Sequence, residues 1–171
     1  SGFSGTFDGQ GYTIRNLTVD DTNGVGLLTY VNGGTLTNVV LDNFDVTGTG
    51  TVGALVAEAD NATISYVRVT NSFIRSEYGA GGMVGIMRNS TLSDSAVYST
   101  LVTGRVGDSN SQVMGGMVGL SDTNIYARSS VNGGTVDGEV VGTLMIEFTG
   151  GFVGSATGDI VTDSYATTDV I

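Results

Sequence analysis

Few residues in this chain are equipped for chemistry. The best acid–base candidates are Asp94 and Asp163, which occupy matched places in the sequence. If they lie on strand layers two steps apart, about 9.6 Å separates them. That is close to the upper carboxylate separation for an inverting glycosidase. Arg128 falls at the same place on the layer between them, so Asp94, Arg128 and Asp163 read better as a column of cross-coil ion pairs than as a catalytic pair. Asp20, Asp21, Asp42 and Asp45 offer oxygen ligands for Ca²⁺. They lack EF-hand spacing, and a solvated corner is the simpler reading. Tyr30, Tyr66, Tyr98, Tyr126 and Tyr165 could stack on sugars, although a tyrosine on a strand more often packs against its neighbours.

Other chemistries are excluded by composition. The chain has no His, Cys or Lys. It therefore has no imidazole base, no His-Glu-x-x-His zinc site, no thiol nucleophile or disulfide, and no Walker-type phosphate loop. All six basic residues are Arg against 17 acidic ones, a net charge of −11. That balance argues against nucleic acid and anionic membranes as partners. It fits a marine or salt-loving source. No apolar run is long enough to span a membrane. No signal peptide is visible and the chain begins within its own pattern, as expected of a mature form or a piece of something longer. No cofactor is expected beyond a possible Ca²⁺. The sequons at Asn16, Asn61 and Asn89 are no more than chance predicts and imply only surface exposure.

The elements that would position these residues come from a repeat. Gly81-Gly82-Met83-Val84-Gly85 has relatives at Val25–Thr29, Gly53–Ala57, Gly115–Gly119 and Gly150–Gly154, spaced by 28, 28, 34 and 35 residues. Such a period means a stacked array. A large apolar residue recurs at Leu27, Leu55, Met83, Met117 and Phe152. Turn chemistry follows at Asn32-Gly33-Gly34, Asp60-Asn61-Ala62, Arg88-Asn89-Ser90, Asp122-Thr123-Asn124 and Thr157-Gly158-Asp159. Aliphatic columns follow: Leu36, Ile64, Leu92, Ile125, Ile160; then Leu41, Val69, Val97, Val131, Ala166; then Val46, Ile74, Val102, Val136, Ile171. Between them apolar and polar residues alternate, as strands with one wet face do. The reading is an all-β, right-handed parallel β-helix of about five coils, with three short strands per coil, filling residues 1–171 as one domain. Repeats start near 25, 53, 81, 115 and 150. Residues 1–24 form a shortened end coil, with Asn16 matching Asn38, Tyr66, Asp94, Arg128 and Asp163. Extra residues in the longer units fall at one corner, around Arg105–Val113 and Glu139–Thr149. Confinement to one corner favours stacked coils over propeller blades.

Gly-Gly-Met-Val-Gly followed by Ile, then Asn or Asp, then Ser and Val, resembles the GLUG repeat of bacterial and archaeal surface proteins. Ile160–Thr167 is similar to its second half, and Phe7–Ile14 to the segment that often precedes such arrays. The first copy departs most, with Val25 and Thr29 where Gly is expected. The resemblance implies a β-helical array in secreted or cell-surface proteins, including filamentous adhesins and non-catalytic parts of surface metallopeptidases. It implies no catalytic residues. The expected function is a structural or adhesive module, a rigid rod with contacts near Tyr78, Arg105, Glu139 and Glu147. Partners would be further repeats, other copies through open ends, or surface glycans and proteins. A carbohydrate-active β-helix is the competing expectation. An ice-binding solenoid is a remote one, because the outward Thr positions are mixed with Tyr, Arg, Asp and Asn.

Overall fold

The structure, a computed structural model, describes residues 2–104, 111–138 and 146–171, without the side chains of Ser111, Ile146 and Glu147. Arg105 and Glu139, and with them much of both corner insertions, lie outside the described residues.

The described strands build three parallel sheets. A four-stranded sheet stacks Thr51–Gly53, Gly79–Gly81, Ser111–Gly115 and Ile146–Gly150. A five-stranded sheet stacks Leu28–Asn32, Val56–Asp60, Val84–Arg88, Val118–Asp122 and Val153–Thr157. The remaining 13 strands form the third. The chain visits the sheets in turn and pairs each strand with the equivalent strand of the next repeat, Val56 with Val84 and Val84 with Val118. This is a β-solenoid. Three strands per repeat were expected; the repeat from Val56 to Gly81 carries four, Val56–Asp60, Thr63–Thr70, Phe73–Ser76 and Gly79–Gly81, distributed over the three sheets.

Left-handed residues cut these strands and set the corners. Gly33, Asn61, Asn89, Thr123 and Gly158 have positive φ, each the middle residue of its turn triplet. A second such column is Asn38, Tyr66, Asp94, Arg128 and Asp163. It explains how Thr63–Thr70 buries both Ile64 and Val67 across an odd step. A strict alternation would point one of them out; the left-handed Tyr66 resets the phase. Asn16 belongs to a third column instead: Arg15 pairs with Asp42, and the Asn43 amide donates to Asn16 at 2.8 Å. The extra residues Gln10 and Gly11 shift the count in the first coil.

Inside, the columns are continuous. The backbone N–H of Leu27 reaches Ala54, Leu55 reaches Met83, Met83 reaches Met117 and Met117 reaches Phe152, at 2.8–3.0 Å. Leu55, Met83 and Met117 are fully buried, while Leu27 and Phe152 at the two ends are only partly covered. Val19, Val46, Ile74, Val102 and Val136 stack in register. A register shift after Asn132 brings Val170, not Ile171, beneath Val136. In another column Tyr126, not Ile125, stands below Leu92. Ile125 faces solvent, and Tyr126 is buried with its hydroxyl 2.5 Å from Ser121 Oγ. A tyrosine tolerates the core once its O–H has a partner.

The Gly motif builds the tight junction between the four- and five-stranded sheets. A Cβ on Gly115 would collide with the Val118 carbonyl of its own turn. A Cβ on Gly119 would lie 2.8 Å from the Ala80 carbonyl oxygen across the junction. No side chain fits either place.

Candidate functional site

Asp94 and Arg128 meet across one rung. Arg128 Nε and Nη2 donate to Asp94 Oδ1 and Oδ2, both at 2.6 Å. This bidentate fork holds the Asp94 carboxyl below its usual range and raises Arg128. Asp163 acts on Arg128 only as a nearby charge, adding to that rise. A general acid needs a carboxyl raised toward neutrality, and this pair is tuned the opposite way.

The four acidic Ca²⁺ candidates are spread over three strands, Thr18–Asp21, Thr35–Asp42 and Asp45–Gly48. Asp20 pairs with Thr47 and Asp45 with Thr18. Asp21 accepts from the Asn23 backbone and side chain. Asp42 accepts from Thr70 at 2.7 Å, Asn71 at 3.0 Å and Arg15 at 3.2 Å, and these bonds, Thr70 first, hold its carboxyl below the ordinary value. Among the described residues no three His, Cys, Asp or Glu groups converge as metal ligands would.

The five tyrosines have separate fates. Tyr126 packs edge-on to Phe152 at 5.6 Å, and burial raises its hydroxyl pKa. It cannot meet a sugar. Tyr66 and Tyr165 are exposed, Tyr98 lies beneath the Arg68 guanidinium, and Tyr30 lines a groove. That groove, of about 580 Å³, runs across three rungs between Tyr30, Thr51, Glu58, Tyr78 and Ile86. Glu58 pairs with Arg88 at 3.6 Å and accepts from Thr51 at 3.4 Å. Tyr78 therefore sits on a concave surface beside the corner that carries the insertions. Asn16, Asn61 and Asn89 are all exposed at left-handed corners.

Sequence reasoning overlooked an internal hydrogen-bond ladder. Ser72, Ser90, Ser95 and Ser129 each follow a left-handed residue and are buried. Each hydroxyl donates to the carbonyl two residues back, at 2.6–3.1 Å. Each also accepts a backbone N–H from the preceding rung: Phe44, Ala62, Val67 and Ser95. The signal is confined to the later rungs, where Ser72, Ser90, Ser95, Thr100, Asn124, Ser129, Asp159 and Ser164 follow corner residues, while earlier rungs carry Leu17, Gly34, Val39, Phe44, Ala62 and Val67 there. Sequence reasoning also passed over Arg68, which makes no carboxylate pair among the described residues.

No family model matches the chain. It is 39% identical over 98 residues to halomucin of Haloquadratum walsbyi, a match covering 55% of this chain and 1% of halomucin. It is 30% identical over 146 residues to the immunoglobulin A1 protease of Streptococcus sanguinis, covering 76% of this chain and 8% of that protein. The protein of the same name from Streptococcus pneumoniae is 27% identical over 142 residues, covering 76% and 7%. The chain thus spans less than a tenth of each relative. These are large secreted or cell-surface proteins.

Proposed function

We propose that residues 1–171 are one non-catalytic structural module of an extracellular or cell-surface protein, a right-handed β-helix of about five coils that acts as a rigid rod. The right-handed sense follows the general rule for parallel strand connections. The supporting observation is the column-by-column stacking, in which side chains that could do chemistry are spent on holding rungs together: Arg128 on Asp94, Arg15 on Asp42, the buried serines on backbone N–H groups. The GLUG resemblance and three large relatives of surface or secreted type support the same reading. The protease activity named in two of them is not carried over to so small a share of their length.

The rod extends by adding rungs at its ends, either further repeats of a parent protein or other copies. In this structure Ile146–Gly150, Val153–Thr157, Ile160–Thr162 and Tyr165–Val170 are paired on one side only. Ile160, Val161, Tyr165 and Val170 are exposed there. Unpaired strand edges with apolar side chains template further strands. Contacts with surface glycans or proteins fall at the insertion corner, beside Tyr78. Small-angle scattering and sedimentation across a concentration series test this. The expectation is growth in length at constant cross-section. Strictly monomeric protein at high concentration would count against end-to-end stacking, and turnover of a polysaccharide panel would overturn the non-catalytic reading.

A further inference from the structure

On one outward face the chain departs from its own corner rule. The left-handed column Asn38, Tyr66, Asp94, Arg128, Asp163 holds Asn or Asp at three of five places. These are the residues that tolerate this backbone, because their short side chains bond locally. Tyr66, at φ 54°, is a bulky residue in a region that disfavours it. The residue is 61% exposed, so core packing does not repay the strain. Local rules are most often broken where function requires it.

The surroundings of Tyr66 are concave. A cleft of about 220 Å³ is lined by Val40, Tyr66, Val67, Arg68, Asp94 and Ala96. Register explains it: Arg68 stands between Val40 and Ala96 on the neighbouring rungs, two short side chains that leave room on both flanks. The Arg68 guanidinium lies 5.6 Å from the centre of the Tyr98 ring. No described carboxylate pairs with it. In a chain of net charge −11, Arg15, Arg88 and Arg128 each meet an acid, whereas among the described residues Arg68 and Arg75 do not; Arg75 lies against the Phe73 ring and does not line the cleft. Asp94 is already taken by Arg128, so Arg68 remains the cleft's available cation.

We infer that this cleft binds a carboxylate-bearing sugar, a uronic-acid-type residue of an acidic glycan. The exposed face of Tyr66 offers a platform for the C–H face of a pyranose. The Arg68 fork matches a carboxylate in bidentate geometry, which a neutral sugar cannot use. Asp94 is engaged by Arg128, which Asp163 also faces as a nearby charge, so Arg68 is the cleft's cation without an acid, and the ligand's carboxylate neutralises it. This goes beyond the scaffold reading and does not depend on it: the rod stands whether the cleft is filled or empty.

The test is an NMR titration of the whole chain at low ionic strength, where exposed charge contacts are least screened. The probes are methyl β-D-glucuronide and, as the neutral control, methyl β-D-glucoside. The glucuronide should shift the Tyr66 and Tyr98 ring signals and bind about fivefold or more tightly than the glucoside, the scale of one charge-assisted bond. Arg68→Gln should erase that preference. Tyr66→Asn should weaken binding by a similar factor while raising Tm, because Asn suits the left-handed corner. Silence of both rings at saturating probe would overturn the inference. So would equal binding of acid and neutral sugar, a preference that survives Arg68→Gln, or unchanged binding in a folded Tyr66→Asn chain.

Discussion

The glycine junction and the left-handed corner column are built on opposite terms. At Gly115-Gly116-Met117-Val118-Gly119 two backbones approach so closely that the residue type is dictated by sterics. At Asn38, Tyr66, Asp94, Arg128 and Asp163 only the backbone is shared, and five positions carry four side-chain types. The junction repeats because it must. The corner varies because its side chains face water, and function can be placed there at the cost of local backbone strain while the columns stay in register.

The sharpest way to break this contrast is Gly115→Ala. The new methyl meets a carbonyl that cannot move without shifting its own turn, so a loss of more than about 4 kcal/mol, or failure to fold, is expected in denaturant unfolding. A stability within about 1 kcal/mol of the parent would mean the junction is loose. Met117→Ala, which empties one step of the central column, should cost about 3 kcal/mol. Ser95→Ala orphans the buried Val67 N–H and should cost about 2 kcal/mol, although it removes a single oxygen. At the corner itself, Arg128→Gln should leave Tm essentially unchanged, since the pair is exposed. Its effect is local: the Asp94 carboxyl, held low by Arg128, should rise toward the ordinary value of about 4 in an NMR titration. The sign is that of a depressed acid. In the parent chain Asp94 favours the fold above about pH 4 and loses that contribution as pH falls through its lowered value.

Legibility in the sequence follows the same contrast. The junction and the columns through Met83 and Met117 could be read because sterics and burial leave one kind of residue at each place. The slips occurred where two neighbours were chemically plausible. Ile125 looked more core-like than Tyr126 until the Ser121 partner for the Tyr126 hydroxyl was visible. Asn16 falls at a different corner from the one its spacing predicts, because Gln10 and Gly11 lengthen the first turn. Ile171 lies one residue past the core column, because the shift after Asn132 leaves no mark in composition. Arg68 was unreadable for a different reason. Its lack of a carboxylate depends on Val40 and Ala96, residues 28 positions away on either side, lying beside it.

The fold depends on rung-on-rung stacking in one register, and the absence of cysteine allows a clean test. Thr37 and Ser65 face each other across one step, with their hydroxyls 3.0 Å apart, and Ser93 lies one step further. One step is about 4.8 Å and two are about 9.6 Å, against an upper Cα separation of about 7 Å for a disulfide. Oxidation of the Thr37→Cys/Ser65→Cys chain should give an intramolecular disulfide in near-quantitative yield, and the Thr37→Cys/Ser93→Cys chain should give almost none. Comparable yields from the two, or efficient bonding only in the second, would contradict the stacking.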